Sequence, residues 1–249
     1  ALLYQVDRGA AVVVAPERPA LLELPAAGVA FGADEPEVVA AYFVDVDSAP
    51  SRDEFRALTA AMRDPKLAGA LQLRLYHAPQ VDGGCFAGDG PQAALRIDEA
   101  PCLSAAAIEC VELLAPGAGI RMAGELFDRR RGATGALETA TILEAASTLG
   151  LRVDAEQPGD PLLRCITSNR AIHGRLAAHA AFAARHGAAE VPHGYFVGVA
   201  EQRLDPARVE VFRGHLSAAL RERKITSVRR PADAPTPTPA RPTDGAPRH

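Results

Sequence analysis

The chain lacks most of the short signatures by which an enzyme declares its chemistry. It has no GxSxG elbow, no HExxH helix, no phosphate loop and no dinucleotide fingerprint. Its four cysteines, Cys85, Cys102, Cys110 and Cys165, form no CxxC pair, and none stands at zinc-ligand spacing with a histidine. On spacing alone they read as buried or half-buried free thiols of a reducing compartment, and no metal is expected. No apolar run approaches the roughly 20 residues of a membrane span. The opening "ALLYQVDRGA" lacks the basic start and long apolar centre of a signal peptide. At a net charge of -4 with mixed signs, the chain also lacks the concentrated basic face that nucleic acid requires. These absences predict a cytoplasmic protein with neither membrane nor nucleic-acid partners.

What is present is ordinary material for a core. Of 249 residues, 48% are apolar and 23% charged, enough for one large domain. The last twenty residues hold six prolines and little to bury, so the folded part is expected over 1–228 with a disordered tail over 229–249. Near the start, "YQV", "AAVVVAP" and "ALLEL" read as a strand meander over 1–38. "VVAAYFVDV" reads as a buried strand ending at Asp47. A helix follows it from Ser51, which stands three before Glu54 at capping-box spacing. "ALQLRLYHA" and, more weakly, "GPQAALRID" read as strands, and "LSAAAIECVELL" as a helix. "RMAGELFDRRR" and "ALETATILEAASTLG" are helical, the second with Gly150 as its C′ residue. "GYFVGVA" is a strand, and a last helix starts at Asp205 with Pro206 in its first turn. The pattern is α+β, with an antiparallel or mixed sheet and packed helices. "YFVDV" from Tyr42 recurs as "YFVGV" from Tyr195, each before a helix. Either a duplicated strand–helix unit or alanine-rich chance accounts for this echo.

Two clusters of polar side chains stand out. The first is "RCITSNRAIHGRLAAHAAFAARHG", from Arg164 to Gly187, read as one alanine-rich helix with four arginines and three histidines. At 100° per residue, Ser168, Ile172, Arg175, His179, Phe182 and His186 share a face, while Arg170 and His173 fall on the other side. His179 and His186 are too far apart for one ion, so the segment offers separate donors rather than a metal site. Ser168 either caps the helix or meets a ligand, and Asn169, Arg170 and His173 add an amide, a guanidinium and an imidazole. The second cluster is "HGYF", where His193 and Tyr195 flank a glycine and can form a proton-donor pair. "GGCFAGDG", from Gly83 to Gly90, reads as a mobile glycine-rich loop.

The order "GELF", "ALETATILEAASTLGL", then a helix opening with Ser, Arg and His resembles a known plan. Over roughly Glu125 to Ala184, it is similar to the elimination-type domain of lantibiotic dehydratases and to the thiopeptide-type bacteriocin biosynthesis proteins. The resemblance implies an α+β, cofactor-free pyridine synthase joining two dehydroalanines of a modified peptide, with loss of water and of the leader. It implies Ser168 and His173 as catalytic residues beside Arg170 as a substrate contact. Tyr195 joins them as a phenolic donor, and Asn169, Glu125 and His193 complete the substrate-binding set. Holding two reacting ends together is worth roughly 7–11 kcal/mol, and no metal is needed for it. A peptide is the expected partner, and a homodimer is allowed. Two other readings stand beside this one: a non-catalytic peptide-binding or leader-recognition module, and another cofactor-free biosynthetic enzyme.

Overall fold

The computed structural model describes residues 24–79, 84–87, 94–132, 137–153, 159–185 and 193–197, with the single helical positions Gly214, Ser217 and Arg221. Side chains at 66, 67, 132 and 193–197 lie outside that description. So do most of the expected N-terminal meander, the start of the last helix at Asp205, His186 and the proline-rich tail.

Strand β2, Val38–Val44, lies at the centre of the sheet. All seven of its residues are buried, which a strand achieves only when both faces are covered. Its alternate side chains divide between two cores. Val38, Ala40, Tyr42 and Val44 face the main helical core, while Val39, Ala41 and Phe43 meet Tyr76 and Phe182 on the other side. β3, Leu71–His77, runs parallel to β2 from Val38↔Leu71 to Val44↔His77. Parallel neighbours need a crossover, supplied by α1, Ala49–Ala61, and the short α2, Pro65–Ala68. β1, Ala30–Gly32, is antiparallel to β3. The last strand of this sheet, His193–Val197, is antiparallel to β2, with Tyr195 opposite Ala41. The two copies of the YFV echo therefore lie side by side. A separate ribbon pairs β4, Phe86–Ala87, with β5, Ala94–Leu95, so the strand at His193–Val197 is β6. The sheet order is β1-β3-β2-β6. The mixed sheet and its packed helices are those of the expected α+β class.

Helix α3, Ala100–Leu114, is buried at every position from Cys102 to Val111. A helix buried all round belongs in the middle of a fold. α4 (Gly119–Gly132), α5 (Thr139–Thr148), α6 (Pro161–Ser168) and α7 (Arg170–Arg185) all pack on it, and α7 also packs on β3. α5 ends with Gly150 in the left-handed region, φ +88°, as its C′ position requires.

Local expectations shift in three places. β2 stops at Val44, not Asp47, and α1 begins at Ala49. Its N-cap is Ser48, whose Oγ accepts from the Ser51 N–H at 3.3 Å; Pro50 fits the first turn because no helical bond is lost there. The run from Arg164 is two helices, not one. Asn169 ends α6 by donating its N–H to the Cys165 carbonyl at 3.1 Å. Its Oδ1 then accepts from the N–H groups of Ala171 at 3.1 Å and Ile172 at 3.3 Å, capping α7.

The cysteines are not free thiols. Cys85 bridges Cys102 and Cys110 bridges Cys165. Spacing hid both pairs because each joins segments distant in sequence. The second ties α3 to α6, and the first ties the β4 segment to the first turn of α3. The glycine-rich loop is therefore tethered at Cys85 and paired at Phe86–Ala87. Among the described residues no helix is long and apolar enough to cross a membrane.

Candidate functional site

The end of β3, the C-terminal half of α3 and the middle of α7 converge on one buried cluster. His77 ends the Leu71–Leu73–Leu75 face of β3 and is 2% exposed; Glu109 of α3 and His179 of α7 are 0% exposed. His77 Nε2 stands 3.2 Å from Glu109 Oε1, out of line for a hydrogen bond, so both buried atoms lack a hydrogen-bond partner. Arg175, one turn before His179, donates from Nη1 to Glu109 Oε2 at 2.7 Å. His179 accepts the His77 backbone N–H at Nδ1, 3.3 Å, and its Nε2 meets the Ala26 carbonyl at 3.1 Å. Those two contacts fix the tautomer, with the proton on Nε2. Gly28 closes the cluster: a Cβ there would lie 1.5 Å from Glu109 Oε2 and 2.2 Å from Arg175 Nη1. Only glycine lets that backbone lie across the ion pair.

The charges follow from this packing. Burial alone pushes the Glu109 carboxyl up, but contact with His77 and then Arg175 outweighs it and leaves the carboxyl below its ordinary value. Burial first, and the neighbouring His77 next, push the His179 imidazole down from 6.5 to about 4.

Beside the cluster opens an apolar cavity of about 190 Å³, lined by His77, Cys85, Phe86, Cys102, Leu176 and Ala183 among others. The Cys85–Cys102 disulfide thus forms part of a pocket wall. Cys102 is fully buried and Cys85 half-buried. Cys102 lies in the first turn of α3, whose aligned peptide dipoles favour negative charge at that end. The bridge spans 17 residues with its Cα atoms 5.5 Å apart. By contrast, Cys110 and Cys165 are 0% and 7% exposed and join two packed helices.

The residues singled out from sequence take other places. Ser168 is the exposed last residue of α6, its Oγ 3.2 Å from the Thr167 hydroxyl. Asn169 caps α7, and Arg170 is exposed in its first turn. His173 is half-buried with Nε2 2.8 Å from the Ile166 carbonyl, which bridges the α6–α7 junction. Glu125 is on α4, 3.8 Å from Arg129 Nε one turn later. His193 and Tyr195 lie on β6, opposite Phe43 and Ala41; their side chains lie outside the described residues. The Ser168–His173 group is contiguous only because it is a helix junction. The buried cluster escaped sequence reading because its members come from three separate elements. One signal pointed to it: Glu109, alone and ionisable in "LSAAAIECV".

No protein-family model matches the chain, and no curated protein does. Solved structures do. The thiol–disulfide exchange protein alpha-DsbA2 from Wolbachia pipientis superposes with TM-score 0.54 at 14% identity, over 76% of this chain and 85% of that one. BdbD from Bacillus subtilis gives TM-score 0.56 at 14% identity, over 82% and 96%. A periplasmic thioredoxin-like protein from Salmonella enterica serovar Typhimurium gives 0.53 at 11%, over 77% and 89%. The chain has a thioredoxin-like fold.

This finding overturns the resemblance to thiopeptide-type bacteriocin and lantibiotic-dehydratase proteins, and the pyridine-forming cycloaddition falls with it. The resemblance rested on helix order over less than a third of the chain, and helix order does not fix a sheet. The peptide-binding and biosynthetic alternatives gain no support in its place. The cytoplasmic expectation is overturned as well. It was drawn from the lack of a signal peptide and a membrane span, with the cysteines read as reduced, whereas the chain holds two disulfides, which persist in oxidising compartments; the Salmonella structure is of a periplasmic protein.

Proposed function

We propose that the chain is a thiol–disulfide exchange protein of an oxidising, extracytoplasmic compartment, working through Cys85–Cys102. The observation that carries this reading is the placement of that disulfide in the wall of an apolar cavity, with Cys85 half-buried and Cys102 at a helix N-terminus. The thioredoxin-like fold supports it, although fold alone does not assign an activity. Redox cysteines of thioredoxin and DsbA come as CxxC. Here that spacing is found in serine, Ser48–Ala49–Pro50–Ser51, at the start of α1, so the exchangeable pair lies elsewhere.

The exchange is balanced with a substrate dithiol. A substrate thiolate attacks the Sγ of Cys85, the less buried of the two residues; the Cys85–Cys102 bond breaks, and Cys102 leaves as a thiolate favoured by the α3 N-terminus. The second substrate thiolate then attacks the substrate sulfur of the mixed disulfide and releases Cys85. The substrate loses two electrons to the chain, and its two thiol protons end on Cys85 and Cys102. Apolar lining suits a polypeptide segment with a hydrophobic side chain beside its cysteine.

Equilibration with glutathione buffers of stepped potential, followed by alkylation and mass spectrometry, tests this. Cys85–Cys102 is expected to open well before Cys110–Cys165, and Cys102→Ser to hold glutathione on Cys85. If both bridges stay closed until the chain unfolds, Cys85–Cys102 is a structural staple and the reading fails.

A further inference from the structure

Glu109 and the two histidines beside it do more than an ion pair requires. An arginine–carboxylate pair is complete with Arg175 and Glu109; it needs neither imidazole. Yet His77, Glu109 and His179 each bring one potential ligand atom to a common point, all within 4.8 Å of one another. Within this group, His77 Nε2 and Glu109 Oε1 are buried without a hydrogen-bond partner. The other polar atoms are held from outside: Arg175 takes Glu109 Oε2, and the Ala26 carbonyl takes His179 Nε2–H. That is the arrangement by which outer partners orient metal ligands.

We propose that His77 Nε2, Glu109 Oε1 and His179 Nδ1 form a divalent-metal site, with zinc as the ion its donors suit. Two imidazole nitrogens and one carboxylate oxygen are a known zinc set, closed by water in the fourth position. Zinc bonds of about 2.0–2.2 Å place tetrahedral donors about 3.4 Å apart. The His77–Glu109 pair already stands at 3.2 Å, so the widest gap closes by at most about 1.4 Å. His179 exchanges the 3.3 Å bond from the His77 N–H for the ion. Arg175 keeps to the far oxygen, and at 28% exposure its charge is partly screened by solvent. Of the three ligands, His77 also lines the apolar cavity. The site does not depend on the redox reading, because none of its ligands is a cysteine.

The test uses the full chain with both disulfides intact, verified by alkylation, so that no thiol competes for metal. After chelator treatment and dialysis, zinc alone is titrated against a chromophoric competitor, with thermal unfolding and imidazole NMR followed in parallel. The expected result is one zinc per chain, a raised Tm, and shifted resonances for His77 and His179 but not for His173. Glu109→Gln and His179→Gln should weaken binding at least about tenfold. Should these variants fail to fold, the wild-type NMR titration still decides. A folded, oxidised chain that takes up no zinc at micromolar concentration overturns the proposal. So does zinc bound while His77 and His179 stay unmoved.

Discussion

Glu109 is a charged residue with no exposed surface, within a stretch, 105–111, that is otherwise alanine, isoleucine, cysteine and valine. A buried carboxylate is tolerated only where partners offset its lost hydration, and Arg175, His77 and His179 are those partners. In the metal-free chain this sets the direction of pH dependence. His179 is held neutral, with its value lowered from 6.5 to about 4. Its stabilisation is complete above the unfolded value and is lost as pH falls from 6.5 to about 4. Glu109 acts in the same sense, since its lowered value makes folding lose ground as acid protonates it. The His179 share is about 3 kcal/mol in full, most of it gone by about pH 4.5. Urea unfolding of chelator-treated protein at pH 7.5 and 4.5 should show that loss, and His179→Gln should flatten it. Equal stability at both values would mean that the cluster is hydrated in solution.

Among elements, the α6–α7 junction shows how a residue read as a ligand contact works for the backbone. Asn169 terminates one helix and caps the next, and His173 reaches back to the Ile166 carbonyl. Asn169→Ala should therefore cost about 1 kcal/mol of stability, as loss of a cap does, without affecting exchange at Cys85. A change below a few tenths of a kcal/mol, measured by urea unfolding, would show that water replaces the cap. The junction was partly legible: asparagine competes for backbone bonds and favours caps, but an alanine-rich context on both sides makes one long helix the simpler pattern. The same applies to α1, where the Ser51–Glu54 spacing pointed to a start at Ser51, whereas Ser48 caps the helix and Pro50 lies in its first turn. Of the face read from period, Ile172, His179 and Phe182 are buried, whereas Ser168 is exposed at the end of α6 and Arg175 is half-buried.

For the whole molecule, the continuous apolar run "VVAAYFV" and the alternation in "LQLRLYH" were enough to give strands, and apolar period to give helices, so the α+β class was readable. Pairing across the fold was not. Cys110 and Cys165 are 55 residues apart, and Cys85 and Cys102 17; nothing in local spacing distinguishes a bridge from two buried thiols. The two bridges now make separable predictions. In the chain-entropy account, closing 55 residues stabilises by about 4 kcal/mol and closing 17 by about 3 kcal/mol. Cys110→Ala with Cys165→Ala should cost the larger amount, because α6 loses its covalent tie to the central helix, yet leave exchange at Cys85–Cys102 intact. Cys85→Ala with Cys102→Ala should cost the smaller amount and abolish exchange with a dithiol peptide. Urea unfolding and exchange assays on the same two proteins separate the roles. Exchange that survives loss of Cys85 and Cys102 but disappears with Cys110 and Cys165 would reverse the assignment, placing redox work in the helical core and the staple in the cavity wall.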